Sequence, residues 1–71
     1  MNTLVKRSVS LSGHRTSIAL EPEFWAVLET MAQVRNLSLA RLVGEIDDGR
    51  TPDRALASAL RVAALRHVSA D

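Results

Sequence analysis

Few side chains in this 71-residue chain could do covalent chemistry. His14 and His67 are its only histidines and cysteine is absent, so a structural zinc would need two imidazoles and distant carboxylates. Asp47 and Asp48 are adjacent, which sends them to different sides of a helix or into a loop instead of into a facing pair. No nucleophile-and-base arrangement, glycine-rich phosphate loop or His-Glu-x-x-His occurs. The residues argue against catalysis, and neither a cofactor nor a metal is expected.

What remains is charge. The net +1 conceals an asymmetry: residues 1–20 hold Lys6, Arg7 and Arg15 with no acid, residues 21–49 are acidic, and residues 50–71 are basic again. A polyanion would be met by the N-terminal region, and dimerisation would double that patch.

Those cations need a scaffold. Arg15–Leu20 alternates like a strand, with Thr16, Ile18 and Leu20 on one face and Arg15, Ser17 and Ala19 on the other. Its backbone needs a partner, and the only other run of similar pattern is the shorter Arg7–Leu11. The expected partner is the same strand from a second copy. Residues 1–13 read as a flexible or weakly extended arm, with Gly13 a turn or bulge; a longer strand interrupted at Gly13 is the other option.

Helical signals follow. Glu21-Pro22-Glu23 starts a first helix over about 22–35, with Phe24, Leu28, Met31 and Ala32 on one face and Asn36 suited to end it. Trp25, about 100° around from Phe24, is expected at a dimer interface or against a third helix. Ser38 caps a second helix carrying Leu39, Leu42, Val43 and Ile46, closed by Asp47-Asp48-Gly49. Thr51-Pro52-Asp53 opens a third over about 52–68, apolar on a wide stripe. His14 reads as a surface residue and His67 as structural, near a helix C-terminus.

A chain this short buries only about 60% of its unfolded surface, and without disulfide or metal an obligate homodimer is expected. No apolar run approaches a membrane span and no secretory signal is seen, so the cytoplasm is the expected compartment.

The order strand, helix, tight turn, helix resembles the ribbon-helix-helix family of the Arc and methionine repressors. The resemblance is carried by Thr-Ser-Ile-Ala-Leu-Glu-Pro-Glu-Phe-Trp (16–25), Leu28, Met31, Ala32, Asn-Leu-Ser-Leu-Ala (36–40) and Leu42. Gly-His-Arg-Thr-Ser (13–17) and Arg-Ala-Leu-Ala-Ser-Ala-Leu-Arg (54–61) look like a short bacterial subfamily with an extra C-terminal helix.

The resemblance implies a mainly α fold with one strand per chain, an intertwined homodimer with an intermolecular two-stranded antiparallel ribbon, and a third helix. It divides the chain into an arm (1–13), a ribbon-helix-helix core (14–48) and a C-terminal extension (49–71). It further implies a transcriptional regulator whose ribbon enters the major groove of double-stranded DNA, with Arg15, Ser17 and Ala19 facing bases. Ala19 departs from the long polar residue that many members carry there. Phosphate contacts would come from Lys6, Arg7, Ser38, Leu39, Ala40 and Arg41. The dimer core would be Ile18, Leu20, Phe24, Trp25, Leu28, Met31, Leu42 and Ile46. The competing reading keeps this scaffold but uses the third helix to hold a protein partner, as an antitoxin or adaptor does; a third has that helix join dimers into tetramers.

Overall fold

A computed structural model describes residues 3–70. Residues 1 and 2 of the expected arm and residue 71 of the expected extension lie outside them. Two strands, β1 (Val5–Leu11) and β2 (His14–Leu20), are followed by α1 (Pro22–Val34), α2 (Leu39–Gly49) and α3 (Leu56–Ser69).

The strands pair with each other, antiparallel, from Val5 opposite Leu20 to Leu11 opposite His14. Part of the expected arm is thus strand, and β2 finds a partner within its own chain. The reason lies in Ser12-Gly13. Both residues have positive φ, 50° and 82°, the two-residue turn whose twist matches that of the strands it joins. Gly13 reaches this conformation without cost, and Ser12 is held there by the ladder.

Helix α1 ends with Asn36 at φ 57°. The Leu37 N–H donates to the Ala32 carbonyl at 2.8 Å and the Asn36 N–H to that of Gln33 at 3.1 Å, which satisfies two carbonyls at the helix end. Ser38 then caps α2, its hydroxyl oxygen accepting from the Arg41 N–H at 3.1 Å. Helix α2 takes in Gly49, one residue beyond the expected stop.

Helix α3 starts at Leu56 with Ala55 as its N-cap, not at Pro52 with Thr51. Thr51–Arg54 is a separate turn, closed by the Arg54 N–H on the Thr51 carbonyl at 3.1 Å. The Arg50 guanidinium takes the Arg54 carbonyl at 2.7 Å and Asp47 at 2.7 Å. The captured carbonyl would have accepted the Ser58 N–H in a continuous helix, so the turn stays apart from α3.

One sheet face closes on the helices, β1 against α2 and β2 against α3. The core joins Val9, Ile18 and Leu20 to Trp25, Leu28 and Ala32, Leu42 and Val43, and Leu60 and Ala64. On α1 the fully buried line is Trp25, Leu28 and Ala32, while Phe24 and Met31 are half-buried. The helix is therefore rotated from its expected face, because Trp25 lies under β1 and donates its indole N–H to the Val5 carbonyl at 2.8 Å.

Candidate nucleic-acid interface

Alternation along the hairpin separates two faces. Val9, Ile18 and Leu20 go inward, and Lys6, Ser8, Ser10, Arg15 and Ser17 are exposed on the outer side with half-buried Ala19. The register sets them in cross-strand pairs: Lys6 with Ala19, Ser8 with Ser17, Ser10 with Arg15. Two cations stand at opposite ends of a strip of hydroxyls, and no carboxylate belongs to that face.

The expected phosphate residues divide. Lys6 is on the outer face; Arg7, one residue on, is turned to the helices. There it pairs with Glu29 and its guanidinium carbon lies 4.9 Å from the Trp25 ring centroid. Arg7 thus ties β1 to α1 on the face opposite Lys6.

Three further cations, on the helices and their connections, are taken in the same way. Arg61 pairs with Glu21 at 2.9 Å, Arg35 with Glu45 at 2.8 Å, and Arg50 with Asp47 at 2.7 Å. Lys6, Arg15, Arg41, Arg54 and Arg66 make none of the ion pairs among the described residues. Three of these five belong to the hairpin and the first turn of α2.

At that first turn, Ser38 and Arg41 are exposed and Leu39 and Ala40 half-buried. The Arg41 N–H is held by Ser38, so the N–H groups of Leu39 and Ala40 are the ones that helix geometry leaves without an internal acceptor. Ala40 and Arg41 share a hollow of about 330 Å³ with Ser10, Leu11 and Ser12 of the hairpin tip. Helix start and hairpin tip are thus neighbours on one side of the molecule. Glu45 and Asp48 form the far wall, Glu45 already bound to Arg35.

Of the residues expected in a dimer core, Ile18, Leu20, Trp25, Leu28 and Leu42 are buried within the single chain. Phe24, Met31 and Ile46 keep partial exposure. Sequence reasoning missed Ser8 and Ser10, whose signal was the alternation of Arg7–Leu11. It also missed the meeting of Arg50, Arg54 and Arg66 around a second hollow of about 380 Å³ floored by Ile46, Ala59 and Val62. No group of three or more possible metal-ligating side chains occurs among the described residues, and none of their helices is long and apolar enough to cross a membrane.

Comparison with known proteins agrees with this architecture. A family model described as a ribbon-helix-helix domain matches residues 4–68, from just before β1 almost to the end of α3. No curated protein and no solved structure matches the chain. Domains of this family are regulatory DNA-binding modules that typically dimerise. With the match spanning hairpin and helices alike, the chain belongs to the ribbon-helix-helix family.

Proposed function

We propose that this chain is a homodimeric transcriptional regulator that reads double-stranded DNA with the outer face of its hairpin. The observation that carries the reading is the strip of Lys6, Arg15, Ser8, Ser10 and Ser17, exposed, free of carboxylates and bearing cations that make no ion pair among the described residues. In this reading Arg15 forms a bidentate pair with guanine, worth about 1–3 kcal/mol of discrimination, and Ser17 exchanges a hydrogen bond with several bases. Ala19 offers a methyl contact to thymine. The N–H groups of Leu39 and Ala40, the Ser38 hydroxyl and Arg41 serve a phosphate, aided by the helix dipole.

The second copy joins through the outer edge of β2. Ladder alternation from a two-residue turn directs the backbone groups of Arg15, Ser17 and Ala19 away from β1. Unpaired edge groups are a template for another strand. Antiparallel self-pairing centred on Ser17 uses all seven residues of β2 and sets Arg15 opposite the small Ala19 of the other copy. Such a protein works in the cytoplasm, where the chromosome is.

The test is retention on a random pool of duplex DNA at low and moderate salt. Wild type is retained at low salt and enriches a subset of sequences, and Arg15→Ala loses the enrichment. Absence of retention at low salt overturns the reading. A second reading, a protein-binding adaptor or antitoxin on the same scaffold, is favoured by Leu65 and Val68 of α3, which are 59% and 55% exposed. Under it Arg15→Ala changes nothing and Leu65→Asp abolishes partner binding. Were α3 instead to join dimers, sedimentation would show tetramer at high concentration.

A further inference from the structure

We infer that β1 is a second DNA-contacting strand, whose Lys6, Ser8 and Ser10 run along the sugar-phosphate backbone at the rim of the groove that β2 enters. The inference rests on the proposed DNA-reading role of the hairpin and adds to it a division of labour between the two strands.

The geometry follows from strand spacing. Neighbouring strands lie about 4.8 Å apart. Two hairpins joined edge to edge through β2 form a four-stranded sheet, ordered β1, β2, β2 and β1 across the two-fold axis. The central strands lie about 2.4 Å from that axis and the outer ones about 7 Å. The major groove is about 12 Å wide, so its rims stand about 6 Å from its centre line. The β2 pair fits between the rims, and each β1 lies over one.

The residues of β1 suit that position. Its outward side chains are one ammonium and two hydroxyls, all exposed. Phosphate oxygens accept from both groups, and neither selects a base through a rim contact. The strand's other cation, Arg7, is withheld on the opposite face by Glu29 and Trp25. Across the ladder, Lys6 sits opposite Ala19, the position without a polar side chain of its own. Paired about Ser17, the same place receives Arg15 of the other copy, so the shortest outward side chain of β2 lies between two cations. The small residue gives both room to reach the DNA. Ser10 stands opposite Arg15 and shares the hollow beside Arg41, which continues the same backbone track toward the start of α2.

The experiment measures affinity against salt concentration for Lys6→Ala, for the Ser8→Ala, Ser10→Ala double variant, and for Arg7→Ala, on the random duplex pool and on its enriched fraction. Each neutralised phosphate contributes about 0.9 to the logarithmic salt slope, so Lys6→Ala, removing one ammonium per protomer, lowers its magnitude by about 2. The serine double variant leaves the slope alone and weakens binding about tenfold. Both losses are equal on the two DNA samples. Arg7→Ala leaves the slope unchanged, whatever it does to stability. An unchanged slope in Lys6→Ala while wild type still selects sequences overturns the role of β1 and spares that of β2. A loss in the serine variant confined to the enriched fraction does the same, since it makes β1 a base reader. Wild type without affinity for any duplex overturns both.

Discussion

The indole Nε1 of Trp25 donates to the carbonyl oxygen of Val5 at 2.8 Å, joining the first turn of α1 to the first residue of the hairpin across 20 positions of chain. Arg7, two residues along, covers the same ring and reaches Glu29 one turn further down α1. Trp25→Phe keeps most of the buried ring and removes the donor. The expected cost is about 1–2 kcal/mol, read as a lower urea midpoint, with faster amide exchange in β1 than in α2. Equal acceleration in both elements would show that the contact does not hold the hairpin specifically.

Ser12 and Gly13 occupy a turn that demands positive φ at both positions. Asn tolerates that region better than Ser, so Ser12→Asn is expected to stabilise by about 0.5 kcal/mol. Gly13→Val places a β-branched residue at φ 82° and is expected to cost at least about 1–2 kcal/mol. Thermal melts of the two variants should move in opposite directions.

Gly44 lies inside α2, and a Cβ added there meets only Leu11 Cδ2 at 3.9 Å, an ordinary contact. Gly44→Ala should raise stability by about 1 kcal/mol through helix propensity. A decrease would mean that α2 and β1 approach more closely than this spacing.

Glu21 has its carboxyl held below the usual carboxylate range, first by a backbone hydrogen bond at its own position and next by the Arg61 side chain. A folded value below the unfolded one stabilises in full above the ordinary range and is lost as pH falls through the lowered value. Wild type should therefore exceed Glu21→Gln in stability at neutral pH and lose that margin on acidification. Urea titrations across pH measure it, and a margin that persists in strong acid would refute the linkage. Asp53, lowered chiefly by the Thr51 hydroxyl, is common to both proteins.

Local chemistry made the helices readable. Pro22 after Glu21, Asn36 in the left-handed region and Ser38 on the Arg41 N–H each act within one turn of chain, and each is found where its residue type points. Long-range choices were harder to read. Whether β2 pairs with a distant copy or a near neighbour depends on Ser12 accepting φ 50°, which serine does only under constraint. Thr51-Pro52-Asp53 has the composition of a helix start, but Arg50, reaching the Arg54 carbonyl, makes it a lone turn and α3 begins at Leu56. Arg7 and Lys6 are chemically alike and one position apart; only the register and Glu29 separate scaffold from surface.

The hairpin closes through two residues, and such closures take about 1–10 μs. The buried cluster it closes over is drawn from both strands and all three helices of the same chain. Under the proposed pairing along β2, a subunit would trade one companion for another by releasing edge hydrogen bonds, without passing through a denatured state. Mixed populations of two such chains would equilibrate at the rate of dissociation, far ahead of global unfolding.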